Sequence, residues 1–454
     1  MLCAMYLAQG IPWGFMTIAL IAYLASLGVS TTEAGGLMAV VLLPWTFKLI
    51  WAPLVDSLTI QSMGRRRPWI LGAELMMAIS LLGLLALGDL SQNLRLLGWM
   101  FFIHNCFASL QDVSTDALAV DVLPPTEQGR VSGLMWGSKL IGKAIGASAM
   151  AIAISQWGME AAVWLQFFIL LVIMLFPLLL VERPGDRRLP WTKPVWGGRS
   201  SENDYQATGD DHSPRSSAPM TVLASSPTAT DRESKVLNVR SPKDVIKDLV
   251  RAFSLVTTST FFVFGTIHVI GWGIVEVMTK VLYVQELGWT FVEVANVSGG
   301  LALIGELTGA LVGGMLADRL GRRFAMVLGF GGYGLLALLF GAFPDLWTER
   351  WFATAYLVLN PGILSLGVVG FISMGMRISW TRSVASMFTI YMTVSNIAHV
   401  IGNKSVGPLL DEWGFSYQEV FWIAGLTMLL PLVLLVFVRP QQVDEKKNEE
   451  LGSA

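Results

Sequence analysis

Gly314-Met315-Leu316-Ala317-Asp318-Arg319-Leu320-Gly321-Arg322-Arg323 stands between two long apolar runs, and its reading decides the fold. An aspartate closes one run, a glycine turns the chain, and arginines follow at once. Basic residues flanking apolar spans stay on the inner side of a bilayer. The stretch therefore reads as a tight inner-face turn between two membrane helices. A second copy lies near the start of the chain. There Ala52-Pro53-Leu54-Val55-Asp56 ends one run, and Gly64-Arg65-Arg66-Arg67 opens the next. Both copies join the second and third helices of a six-helix set. The chain thus reads as a duplicated bundle, a plan that carriers use with the solute held between halves near mid-membrane.

Working outward from these turns, apolar runs long enough to cross roughly 30 Å of hydrocarbon as helices recur along the chain. Spans are expected near 2–27, 34–56, 68–88, 96–123, 130–155 and 160–181, then near 257–285, 293–317, 323–343, 350–375, 383–410 and 418–438. The first run is too long for a signal h-region and has no basic n-region, so it reads as a span. A late start site or a trimmed chain would account for the lack of a tail before it. Composition agrees: 54% of residues are hydrophobic and 14% charged, against about 25% charged in a soluble chain. The expected organisation is all-α, with bundles over 1–182 and 256–438, a linker over 183–255 and a tail over 439–454. Pro, Ser, Asp, Arg and Gly dominate the linker, which buries too little apolar surface to order itself. Near 242–254 it reads either as a short amphipathic surface helix or as plain linker. Of the 31 Lys and Arg, 24 fall on the face of the two quoted turns or in the linker, and only Arg95 and Arg350 fall opposite. That split places both termini in the cytoplasm. A net charge of -2 argues against nucleic acid, and Cys3 and Cys106 have neither metal-site nor redox spacing.

Three stretches of the first half carry a more specific signal. They are Gln9-Gly10-Ile11-Pro12, then Phe47-Lys48-Leu49-Ile50-Trp51-Ala52-Pro53-Leu54-Val55-Asp56 with Gly64-Arg65-Arg66-Arg67-Pro68-Trp69, and Gln111-Asp112-Val113 with Asp116-Ala117 and Asp121-Val122-Leu123-Pro124-Pro125. The quoted turn resembles the loop signature of the major facilitator superfamily. The three stretches resemble its branch of AmpG-type muropeptide permeases and related acetyl-coenzyme A transporters. The resemblance is strongest over residues 9–145. It implies the major facilitator fold and a proton-driven carrier for bulky anions such as muropeptides or acyl-CoA. Two features depart from the branch: Ala119 where a basic residue is usual in the fourth span, and the charges Glu276 and Lys280 in the seventh.

Ionisable groups in lipid are costly, so they face a cavity or a partner. By rise per residue, Asp112 lies level with Lys143, and Asp116 with Lys139. Two level Asp–Lys pairs between adjacent helices are expected. They are either a structural ladder or a site where an anionic solute displaces aspartate and the freed carboxylate takes a proton. Gln111 adjoins this group. Lys48 needs an acid or an anionic solute beside it. Glu276 and Lys280, spaced i, i+4, either pair with each other or serve the solute path. Glu306 lacks a local partner, and it either carries a proton or bonds a neighbouring helix. His399 reads as a proton relay or as a satisfied core histidine, and His104 likewise. Trp13, between Pro12 and Gly14, reads as cavity lining or packing. Gly142 and Gly146 form a close-packing GxxxG.

At the turns, Asp56, Gly64, Arg65, Arg66, Asp318, Arg319, Gly321, Arg322 and Arg323 read as a gate latch or as topology signals. Walker, HExxH, CxxC and nucleophile-elbow sequences are missing. The expectation is therefore a carrier rather than an enzyme, without cofactor or metal, monomeric, in a bacterial inner membrane, driven by protons or sodium. Rival readings are a sugar:cation symporter of the same superfamily, an exporter, and a sensor that moves nothing.

Overall fold

The computed structural model describes residues 1–57, 62–123, 125–182, 186–192, 242–379 and 384–452. Among these, twelve long helical passes alternate in direction. The first six cover Leu2–Ser26, 31–57, Arg67–Ala86, Leu94–Val122, 125–157 and 159–179; the fifth and sixth run on through Gly158, whose φ of 84 breaks the helix. The next six cover Val256–Gln285, Phe291–Arg319, Arg322–Ala342, Arg350–Ile378, Val384–Gly407 and Tyr417–Phe437. Eight described stretches are long and apolar enough to cross a membrane, the double pass Gly133–Leu179 among them. The second, fourth and eleventh passes are not, and these carry Lys48, Asp112 with Asp116, and His399. The sequence expectation of twelve spans holds, with boundaries shifted by a few residues. Pro242–Phe253 forms a short helix. The rest of the expected linker lies outside the described residues, apart from 186–192.

Packing repeats between the halves. The first pass lies along the fifth as the seventh lies along the eleventh; the third meets the sixth as the ninth meets the twelfth. Lipid tails are as apolar as leucine, so helices associate in membranes through close packing rather than water exclusion. Glycine makes this possible. A Cβ at Gly10 or Gly14 would meet the carbonyl oxygens of Lys139 and Lys143 at 2.2 and 1.9 Å, and one at Gly146 would meet that of Ile11 at 1.9 Å. The GxxxG of the fifth pass is thus a packing face, and its partner is the first pass.

Three turns at the end opposite the arginine-rich turns share one construction. Gly28, Gly288 and Gly414 take positive φ, and Ser30, Thr290 and Ser416 then cap the next pass in capping boxes with Glu33, Glu293 and Glu419. The hydroxyl accepts from the backbone N–H of the glutamate, whose carboxylate accepts from the cap's own N–H, satisfying two orphan donors.

The halves meet mainly at that end. Gly35 backs onto the Asn403 carbonyl, Gly407 onto Thr32 and Gly299 onto Ala147. Gln285 donates to the carbonyls of Ala25 (3.0 Å) and Val29 (2.9 Å), and Thr32 bonds Asp411. Toward the arginine-rich end, the contact of the second pass with the eleventh thins out.

Candidate functional site

The charges gather where the helices are irregular. Pro12 and a π-helical turn over Phe15–Ala19 interrupt the first pass. Pro44 opens a 3-10 turn over Leu43–Phe47 in the second. Proline supplies no N–H and unsettles the ladder, and this turn delivers Trp45 and Lys48 to the centre. Asp112, 2% exposed, accepts from Lys48 and lies 3.7 Å from the Lys139 ammonium. Both ammonium groups face the Trp45 ring, at 5.1 and 4.5 Å from its centroid. Trp13 meets that ring edge-on at 5.4 Å, so it joins the cage. The Trp45 indole N–H donates to Asn105, and its carbonyl accepts from Asn396 of the second half, both at 3.4 Å. Asp116 is exposed and accepts from the Tyr6 hydroxyl at 2.5 Å.

The expected Asp–Lys ladder is therefore corrected. Lys139 pairs with Asp112 rather than Asp116, and Lys143 turns away to Glu306 at 2.5 Å. The reason is packing order: the first pass, not the fourth, backs onto Lys139 and Lys143. Depth counted along two helices says nothing of a third lying between them. Lys143–Glu306 joins the halves, since Glu306 sits on the eighth pass. Glu306, without a partner along its own helix, finds one across the seam.

In the second half, Glu276 and Lys280 lie 3.9 Å apart, and the Lys280 ammonium donates to the Glu276 carbonyl at 2.5 Å. Glu276 also meets His399 Nε2 at 2.7 Å, and Trp272 stacks on that imidazole at 4.3 Å. His104 is buried, with Nδ1 within bonding distance of Ser80 and the Met77 carbonyl. Gln111 belongs to a buried amide chain. Lys139 donates to Gln9 (3.0 Å), Gln9 to Gln111 (2.5 Å), and Gln111 to Glu74 (3.0 Å). The sequence reading passes over Tyr6, Trp45, Glu74 and Asn105 as site residues. Glu74 is legible by the rule applied to the other intramembrane charges. Trp45 is not, because one tryptophan among 17 carries no mark of its surroundings.

At the arginine-rich end each half is tied within itself. Arg66 pairs with Asp121 at 2.9 Å. Arg67 is fully buried and donates to the carbonyls of Pro177, Leu178, Arg187 and Arg188, closing the end of the sixth pass. The Glu182 carboxylate accepts from the backbone N–H groups of Arg66 and Arg67 and lies against Gly64, whose φ is 100. Arg65 is half-buried beside them. Arg322 donates to Ser373 and Arg323 to the Val438 carbonyl, while Asp318 and Arg319 are exposed and Gly321 turns with φ 97. The Asp56 side chain lies outside the described residues. These bonds hold the passes of one half together, and none of them bridges the two halves.

The Major Facilitator Superfamily model matches residues 2–403. The chain belongs to the major facilitator superfamily. Among curated members, it is 25% identical to the anhydromuropeptide permease of Escherichia coli (strain K12) over 414 residues, 88% of this chain and 71% of that one. It is 21% identical to the putative transporter AmpG 1 of Rickettsia prowazekii (strain Madrid E), over 89% of this chain and 90% of that one. A mutant of the nucleoside transporter NupG superposes with a TM-score of 0.67 at 11% identity, covering 96% of this chain and 99% of that one. The xylose transporter XylE from E. coli superposes with a TM-score of 0.62 at 12% identity, covering 95% of each. These two share the fold of the superfamily. The protein is thus an all-α membrane protein of the major facilitator fold, and its family is one of transporters.

Proposed function

We propose that the chain is a secondary active carrier for a bulky organic anion of the muropeptide or acyl-CoA class, taken up with protons. The observation that carries this reading is the sharing of one carboxylate, Asp112, by two ammonium groups, Lys48 and Lys139, beside one indole ring. An anionic group of the solute takes one lysine from Asp112, and Trp45 with Trp13 covers its apolar part. The 25% identity with a muropeptide permease supports the solute class. Residues 1–182 and 256–438 rock as two bodies about this centre, tethered by 183–255, with the linker, both termini and the arginine-rich turns in the cytoplasm. Asp56 and Asp318 act in gating those turns. Contact between the halves at the outer end, with Asp116 exposed, fits a state open to the arginine-rich side. The carrier works as a monomer in a bacterial inner membrane.

The test is counterflow in proteoliposomes with labelled anhydromuropeptide, acetyl-CoA and a disaccharide, with and without an inward proton gradient. Saturable anion uptake stimulated by the gradient is expected. In Lys139→Gln, KM should rise on the order of tenfold or more, as when one partner of a buried charge pair is lost. Uptake of the disaccharide alone, or stimulation by sodium and not by protons, would refute the reading.

A further inference from the structure

Glu74 of the third pass is fully buried, and no part of the proposed solute path touches it. Its Oε2 accepts from Gln111, while Oε1 has no partner among the described residues. The ionisable groups around it can be named pass by pass. The fourth offers Asp112 beyond Gln111, Asp116 held by Tyr6 of the first, and His104, whose Nδ1 lies 3.1 Å from the Met77 carbonyl of the third; the fifth offers Lys139 through Gln9, and the second Lys48 on Asp112. The sixth carries Glu160 alone, at its outer end. From the first, the Met5 carbonyl shares the Gln111 amide at 3.3 Å. Glu74 is thus linked by hydrogen bonds to the cation Lys139 through two side-chain amides.

All three bonds of that chain point one way: Lys139 to Gln9, Gln9 to Gln111, Gln111 to Glu74. Donors aimed at a carboxylate favour its ionised form. An amide presents an oxygen on one side and a nitrogen on the other, so turning it over exchanges acceptor for donor. If Glu74 takes a proton, its O–H needs an acceptor, and Gln111 must turn its oxygen inward. Gln111 then donates to the Gln9 oxygen, and the Gln9 nitrogen faces outward. Lys139 loses an acceptor and faces the Gln9 amide nitrogen in its place.

We propose that Glu74 is the proton-carrying group of this transporter and that Gln9 and Gln111 relay its state to the Asp112–Lys139 pair. A proton on Oε2, the oxygen that faces Gln111, frees Lys139 for the solute anion, and departure of the solute returns the amides and releases the proton to water. Glu74 is a positioning residue: it acts on Lys139 and never meets the solute. The inference rests on the coupled carrier proposed above.

The experiment uses the full chain in proteoliposomes with an internal pH dye and labelled anhydromuropeptide. Wild type is expected to admit protons with solute. Glu74→Gln holds the neutral form, so counterflow should continue with a flattened pH profile, while accumulation should fall to the level seen without a gradient. Glu74→Asp should restore coupled uptake. Wild-type accumulation in Glu74→Gln overturns this inference and leaves the carrier reading standing. Solute uptake without proton entry in wild type overturns both. If Glu74→Gln loses counterflow too, Glu74→Asp decides: coupled uptake supports the proposal, and counterflow without proton entry overturns it.

Discussion

Asp112 carries one charge between two cations. Lys48 bonds it and Lys139 stands 3.7 Å away, while only 3% of its side chain is exposed. Breaking a buried pair by deleting one partner strands the other charge and costs about 3–5 kcal/mol, whereas replacing both partners with apolar groups is often neutral. Asp112→Asn should therefore lower the thermal unfolding midpoint of the purified protein sharply. Lys48→Met added to it should recover much of the loss. Equal midpoints for Asp112→Asn and wild type would contradict the pairing. At this scale the membrane-charge rule found most of the participants, because a charge in an apolar run is conspicuous. It could not pair them. Lys143 and Glu306 lie 163 residues apart and in different halves, and nothing local marks one for the other.

Backbone contact through glycine sets the geometry of the elements. A Cβ at Gly146 would stand 1.9 Å from the Ile11 carbonyl oxygen, whereas one at Gly137, on the same helix, would meet nothing within 4 Å. Overpacking a tight contact costs about 1–3 kcal/mol, and here the clash is with backbone, which cannot rotate aside. Gly146→Ala is expected to destabilise by at least that much. Gly137→Ala should be neutral or stabilise by about 0.5–1 kcal/mol, the helix-propensity gain over glycine. Thermal melts of the two variants in detergent check the contrast, and equal effects would refute it. The GxxxG is readable as a packing face, but a spacing of small residues does not name the helix that fills it. Without that name the level-pair expectation went to the wrong helix. The π-turns over Phe15–Ala19 and Asn296–Leu301 also leave no clear trace, since apolar periodicity barely registers one extra residue in a turn.

Over the whole molecule the halves are joined at one end and separate toward the other. Thr32 and Asp411 bond across the end opposite the arginine-rich turns. With Cys3 and Cys106 replaced by serine, Thr32→Cys with Asp411→Cys should form an oxidisable cross-link. Oxidation should stop uptake, and reducing agent should restore it. Uptake undiminished by a complete cross-link would show that this end need not part. The duplication, the twelve passes and the arginine-rich face were all legible in the sequence, because hydropathy and the Lys/Arg bias act over whole spans. Which end is closed was not legible, since it depends on contacts such as Gly35 on Asn403 that join distant parts of the chain.

Backbone resting on glycine has no slack. Gly35, Gly299 and Gly407 let main chain or short side chains of the opposite half come within bare contact, with no long side chain between to stretch or swing. Packed surfaces of this kind are bistable rather than gradually deformable. They hold until they release together. The arginine-rich end, tied inside each half, carries no such cost of separation in the bonds described above. On the carrier reading proposed above, release of the glycine seam is one all-at-once step, and it is expected to be the slow one.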